Sequence, residues 1–340
     1  MLVDFRSDTL TKPTAGMRAA MAAADVGDDV FGEDPTINRL EARVAELLGK
    51  ERGLFVPSGS MANQIAIRLL TNPGDEVVME ADAHPFHYEA GGAAVISGVT
   101  IRLVQGARGV LDPATVSAAL RAPNVHHAPA TMLSVENTSN RGGGAVTSVE
   151  RCNQLCAVAR AGKLNTHLDG ARLWNAAVAA KTPICDFARP FDVVNVCFSK
   201  GLGAPIGSML TGPANLVDRG RRIRKMLGGG MRQVGILGAA CHHALDHHVE
   251  RLADDHARAA RLADGLVRIG YNVETQPETN IVYFRVPDAP GFTAKLGASG
   301  VRAIALAADR VRLVTHLDVD DAGVEFALKI FAQSHAASVL

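Results

Sequence analysis

Two spacings of apolar residues take turns along this chain, and their alternation predicts its architecture. From Thr36 the stretch INRLEARVAELLGKE sets Ile37, Leu40, Val44, Leu47 and Leu48 on one helical face, with Gly49 supplying a stop. Short apolar runs bounded by turn residues read instead as buried strands: GLFV, EVVME, TIRLV, ATMLSVE, NTHLDG, DVVNVCF and GSMLTG. Between them lie helical stretches: GSMANQIAIRLL carrying Ile65, Ile67, Leu69 and Leu70, segments over about 113–121 and 148–162, the basic LVDRGRRIRKM, and the small-residue GILGAACHHALDHHVE. Such alternation predicts an α/β domain with a mostly parallel sheet and a site at the carboxyl ends of its strands.

From about residue 250 the pattern loosens. A long charged helix, RLADDHARAARLADGLVRIG, precedes NIVYFRV, a helix near 292–299, GVRAIALAADRVRLVTH and a last helix, which together read as a smaller α+β domain. At the other end DFRSDTLTKPT is polar and turn-rich, a short helix follows Pro13, and the acidic break DVGDDVFGEDPT surrounds a single aromatic, Phe31. The expected division is an N-terminal arm and helix over 1–30 packing on the small domain, a large domain over 31–249, and a small C-terminal domain over 250–340.

Composition narrows the partners. Basic and acidic residues balance at 35 each, so no global field steers the chain to nucleic acid or an anionic membrane. Arg219, Arg221, Arg222, Arg224 and Lys225 form a local basic run, but few aromatics accompany it. The loop Gly228-Gly229-Gly230 with Arg232 reads instead as an anion-binding nest. No stretch approaches the roughly 18 apolar residues of a membrane span. The first residues carry charge where a signal peptide is apolar, and the five cysteines are odd in number, so a cytoplasmic protein with reduced thiols is expected. Cys152 and Cys156 read as core, and His242, His243, His247 and His248 as a solvated or subunit-contacting face; no metal is expected at either group.

The candidate chemistry centres on DVVNVCFSKGLGAPIGS, where a buried strand ends at Lys200 and opens into glycines. Read alone, Lys200 is either a surface lysine or an activated amine able to form a Schiff base. Ser58-Gly59-Ser60 at a helix N-terminus is either a plain cap or a phosphate cradle. His84, Glu136, Asn137, Asp169, Arg172 and Lys200 all fall at the ends of strands, which brings an amine, a phosphate turn and a carboxylate together. One cofactor needs that set: pyridoxal phosphate takes a lysine as an imine, and a carboxylate must face its pyridine nitrogen to keep the ring electron-withdrawing. Asp169 is placed for that role, and His84 for the ring face.

The segments FRSDTLTKPT, VFGEDPTINRLE, SGSMANQIA, HLDGARLWNA, FSKGLGAPIGS, RKMLGGGMRQ and VRLVTHLDV resemble the threonine aldolase family, fold-type I enzymes of the β-eliminating lyase group, over about residues 4–320. The resemblance implies a pyridoxal-phosphate lyase that splits a β-hydroxy-α-amino acid, such as L-threonine or L-allo-threonine, into glycine and an aldehyde. It implies that Lys200 carries the cofactor, Asp169 faces its ring nitrogen and His84 stacks on the ring. Ser58, Gly59 and Ser60 would hold the phosphate, with Arg232 arriving from a neighbouring subunit of a homotetramer that shares its active sites. Ser7, Arg172 and Arg312 would clamp the substrate carboxylate, with Arg172 also near the cofactor. His84 and His126 are the candidate bases for the β-hydroxyl proton, with His127 adjacent to the second, and a base acting through bound water is equally allowed.

Three departures bear on the side-chain preference. Phe31 replaces a tyrosine common in the family, the loop Asn140–Thr147 carries three consecutive glycines, and His87 precedes Tyr88 near the expected substrate side chain. These keep a phenylserine-type aldolase open, and a β-eliminating lyase or transaminase on the same scaffold is the rival within enzymes.

Overall fold

The computed structural model describes residues 1–339. Seven strands form the central sheet: β1 (Arg52–Val56), β2 (Glu76–Glu80), β3 (Thr100–Val104), β4 (Ala130–Glu136), β5 (Asn165–Gly170), β6 (Val193–Cys197) and β7 (Ser208–Gly212). Their order is β3-β2-β4-β5-β6-β7-β1. The first five in that order run parallel, while β7 is antiparallel to both β6 and β1. Every residue of β2, β6 and β7 is buried, as a sheet covered by helices on both faces requires. One face packs on a core that includes Ile37, Leu40, Val44 and Phe55, the other on one that includes Ile65, Ala66 and Leu69.

Side-chain oxygens set the helix starts. Asp34 accepts from Ile37 N ahead of Pro35–Leu47, Ser58 from Met61 N ahead of Gly59–Leu70, and Ser148 from Arg151 N ahead of Val149–Ala161. The apolar stripe of Pro35–Leu47 faces the core as the spacing requires, except that Leu47 is 39% exposed.

The C-terminal part builds a second, antiparallel sheet from β8 (Asn272–Val273), β9 (Ile281–Arg285), β10 (Ile304–Ala307) and β11 (Arg310–Val314), in the order β10-β11-β9-β8. Its own core gathers Leu262, Leu266, Phe284, Val311, Leu313 and Phe331. The N-terminal arm divides between the two cores. Val3–Asp4 pairs in parallel with Val301–Arg302 and Phe5 is buried with the small-domain core. Helix Ala15–Ala22, read from the sequence as resting on the small domain, instead packs on helix Gly235–His247, and its Met17 joins the large-domain core. The approach is close because Gly16 has no side chain: a Cβ there would lie 2.9 Å from the His243 ring.

Among the described residues no helix is long and apolar enough to cross a membrane, and no group of three or more His, Cys, Asp or Glu is placed to hold a metal. Two of the clustered histidines bond backbone instead: His242 Nε2 lies 3.2 Å from Thr36 O, and His248 Nδ1 lies 2.7 Å from Leu202 O.

Candidate active site at the carboxyl ends of the sheet

Parallel pairing sets one polar row across the ends of three strands. Glu136 on β4 is opposite Asp169 on β5, and Asp169 is opposite Asn195 on β6. Asp169 is buried, and it accepts hydrogen bonds from Asn63 Nδ2 at 2.8 Å, Ala171 N at 3.1 Å and Asn195 Nδ2 at 3.2 Å. Among the described residues, no lysine or arginine forms a salt bridge with it. Beneath the row, His167 joins Ser134 to Asn195, and burial lowers its pKa, so the ring relays hydrogen bonds as a neutral group.

Lys200 stands three residues beyond β6. Its carbonyl accepts from Gly203 N at 2.8 Å and from Thr11 Oγ1 at 2.9 Å, which ties the lysine turn to the N-terminal arm. The same arm brings Asp8, fully buried, against Arg172: Arg172 Nε donates to Asp8 Oδ2 at 2.7 Å and Nη2 to Oδ1 at 2.8 Å. Burial opposes the charge on Asp8, yet Arg172 and then Lys200 outweigh it and hold the carboxyl well below the usual carboxylate range. Burial likewise opposes the Arg172 charge, and Asp8 raises the guanidinium above its ordinary value. Ser7, just before, caps this turn by accepting from Thr9 N at 3.2 Å.

His84 begins a short helix four residues after β2. Its backbone N donates to Glu136 Oε2 at 2.8 Å, and its ring Nδ1 lies 2.9 Å from Glu89 Oε1. Burial disfavours the charged ring, but the Glu89 hydrogen bond and the Asp169 charge prevail and raise its pKa, with Lys200 opposing. Glu136 is raised too, by burial first and by the Asp169 charge second. Arg312 on β11 donates through Nη1 to Asn140 Oδ1 at 3.0 Å and through Nη2 to Arg6 O at 3.0 Å, while its buried Nε has no partner.

The phosphate cradle is the turn between β1 and helix Gly59–Leu70. The first N–H groups of a helix have no intrahelical acceptor, and Gly59 and Ser60 carry two of them. Gly59 presses against the end of β6: a Cβ there would lie 2.8 Å from Cys197 Sγ. Cradle and lysine strand are therefore in direct contact.

The expected set is brought together only in part. Lys200, Asp169, His84, Arg172 and the Ser58–Ser60 turn converge, and Tyr88 lies beside them with its ring centroid 5.2 Å from that of His84. His126 does not. It is exposed and lies four residues before β4, at the amino edge of the sheet, whereas Lys200 follows the carboxyl end of β6. A parallel strand enters at the edge opposite its exit, so nearness in sequence to β4 places His126 away from the site of its own chain. His127 lines a separate cavity with Glu76 and Arg121 at that edge. Phe31 is 73% exposed at the end of the turn Asp29–Phe31, and Arg232, also exposed, pairs with Asp28 at 3.0 Å.

Asp8, Asn63, Glu89 and Asn140 are site residues that the sequence reading did not select. Asp8 adjoins the selected Ser7, and Glu89 follows His84 by five residues, but polar side chains on arms and helices carry no sign of burial.

Comparison with known proteins gives the family. A family model described as beta-eliminating lyase matches residues 4–289. The chain is 42% identical to a probable low-specificity L-threonine aldolase 2 of Arabidopsis thaliana, over 97% of this chain and 96% of that one. It is 40% identical to the low specificity L-threonine aldolase of Escherichia coli O157:H7, over 94% of this chain and 95% of that one. A solved Leishmania major threonine aldolase superposes with a TM-score of 0.86 at 20% identity, covering 98% of this chain and 99% of that one, and shows the same fold. This chain, with its amine, buried aspartate and helix cradle gathered at the ends of a parallel sheet, belongs to the β-eliminating lyase family.

Proposed function

We propose that this protein cleaves β-hydroxy-α-amino acids, L-threonine and L-allo-threonine among them, into glycine and an aldehyde with pyridoxal phosphate as cofactor. The observation that carries the reading is Asp169: a buried carboxylate, held by amide and backbone N–H groups with no salt-bridge partner among the described residues, one strand away from the strand that leads to Lys200. Such a carboxylate fits a protonated pyridine, and the first N–H groups of helix Gly59–Leu70, at Gly59 and Ser60, fit a phosphate. Bound here, the cofactor would supply an aldehyde for the Lys200 amine and a ring that accepts the electron pair left at Cα.

The chain's own residues supply the rest. Ser58, Gly59 and Ser60 would hold the phosphate, Asp169 the ring nitrogen, and His84 the ring face. Arg172 and Arg312, with Ser7, would take the substrate carboxylate. Of the two candidate histidines, His84 is the one beside this chain's site, so it takes the β-hydroxyl proton. His126 and Arg232 enter only across a homotetramer with shared sites, a reading supported by their exposure and by the apolar Val30, Phe31, Met226 and Ile236 left at the surface. A cytoplasmic location completes the proposal.

Incubation with each threonine diastereomer, followed by separate assays of glycine and acetaldehyde, tests it. Equimolar release supports the reading; ammonia and a keto acid, or conversion of the cofactor to its amine form, overturns it in favour of elimination or transamination. Tyr88, 44% exposed beside His84, offers an aromatic wall to the side chain, so phenylserine belongs in the same series.

A further inference from the structure

Glu89 has no part in the proposal above, yet its side chain is 1% exposed at the edge of the site. Three nitrogens meet its two oxygens: Asn63 Nδ2 reaches Oε1 at 2.7 Å, Gln64 Nε2 reaches Oε2 at 2.7 Å, and His84 Nδ1 reaches Oε1 at 2.9 Å. Among the described residues, no lysine or arginine pairs with this acid; its one salt-bridge partner is the His84 ring. Asn63 Nδ2 also donates to Asp169, so one amide spends both hydrogens on two carboxylates. That fixes the orientation of the amide, since its oxygen could donate to neither acid. The cost is visible: Asn63 Oδ1 and Gln64 Oε1 are buried without partners. Two helix residues thus leave acceptors unsatisfied to keep donors on Glu89.

With its oxygens committed to accepting, Glu89 accepts a hydrogen bond from His84 Nδ1–H and leaves Nε2 as the free ring position. We propose that Glu89 is a positioning residue that locks His84 in the Nδ1–H form with Nε2 available to the substrate, and that Asn63 couples this pair to Asp169. The inference rests on the aldol-cleavage reading for its substrate but not for its geometry. As the β-hydroxyl O–H bond breaks, an Nε2–H bond forms, and the resulting imidazolium lies against Glu89. The oxygen's electron pair closes the aldehyde carbonyl as the Cα–Cβ bond breaks, the pair left at Cα would be held by the cofactor ring, and the proton taken up at Nε2 is matched by one delivered to Cα to complete glycine. The charged and titratable groups around the ring are Glu89, Asp169 on β5, Lys200 after β6, Glu136, whose carboxylate holds the His84 backbone, and Tyr88.

Nitrogen-15 NMR of the histidine rings tests this, on protein with and without pyridoxal phosphate. Above its titration midpoint, wild-type His84 is expected to show a protonated Nδ1 and a bare Nε2; the opposite tautomer overturns the proposal with no variant needed. In Glu89→Gln the amide oxygen stays toward Asn63 Nδ2 and His84 Nδ1 while the new amide nitrogen faces Gln64, whose oxygen turns to accept it, so the ring keeps its tautomer but loses the negative charge beside it. The His84 titration midpoint should move to lower pH, and kcat on threonine should fall about a hundredfold with KM changed much less. Glu89→Asp keeps a carboxylate and is expected to retain the wild-type tautomer with a smaller loss, which covers poor folding of the first variant. An unchanged His84 titration midpoint and pH profile in a folded Glu89→Gln protein overturn the assignment. Wild type that shows the Nδ1–H ring and the Glu89→Gln shift of its midpoint, yet cleaves no β-hydroxy amino acid, leaves the pair standing and removes the aldolase reading.

Discussion

The two edges of the seven-stranded sheet carry acids of similar burial and treat them in opposite ways. At the amino edge Glu76 opens β2 and is closed off by two guanidiniums, Arg102 at 2.6 Å and Arg121 at 2.9 Å. At the carboxyl edge Asp169, Glu89 and Glu136 are buried with no lysine or arginine bridged to any of them among the described residues. They are held by side-chain amides and backbone N–H groups and, at Glu89, by the His84 ring, with no guanidinium or ammonium closing them off. A closed ion pair is finished structure; an acid such as Asp169, held by neutral donors, stays available to a cation that arrives later. On the function proposed above, the difference marks the edge that would receive a protonated ring.

Substitutions can break that contrast, and the largest effect belongs to the amine. Lys200→Ala should lower cleavage by on the order of 10⁶-fold and abolish the visible absorbance of bound cofactor, read in one purified sample. Asp8→Ala leaves Arg172 charged and buried without its acid, which should cost about 3–5 kcal/mol in chemical denaturation. The pH dependence follows. Asp8 titrates lower folded than unfolded, so its contribution is fully present above about pH 4 and is lost as pH falls toward the folded value. The variant should therefore show a flatter acid limb of stability against pH. Asp169→Asn keeps shape and removes charge; kcat should drop about 10²–10³-fold while the melting temperature moves little. Glu76→Gln, at the finished edge, should cost only about 1–2 kcal/mol and leave kcat within about twofold. A large catalytic loss there would show that the two edges are not separate in function.

The sheet was legible because strands covered on both faces read as nearly unbroken apolar runs, and its helices because their apolar spacing begins where Asp34, Ser58 and Ser148 are found to cap them. Lys200, Asp169 and Arg172 stood out as charges that interrupt or end such runs. Asn63 did not, because a polar residue on a helix usually faces water; here it is 2% exposed, a fact fixed by Glu89 and Asp169 on other segments. His126 misled for the complementary reason: sequence places it next to a site strand without telling which end of that strand it meets. The packing of helix Ala15–Ala22 depends on a glycine meeting His243, a contact no local pattern announces.

The N-terminal arm has one more implication, and it concerns time. Asp4 and Arg6 are bonded through their carbonyls to His316 and Arg312, separations of 312 and 306 residues along the chain. Asp8, which steadies Arg172, hangs between those anchors and Lys200. Synthesis runs from the arm toward β11, so the early segment waits without these partners until that strand has been made. Closing loops over such separations costs entropy before any contact is gained, and all seven strands of the large sheet are made before β11. Anchoring the arm then waits on a strand that follows every strand of the sheet it serves.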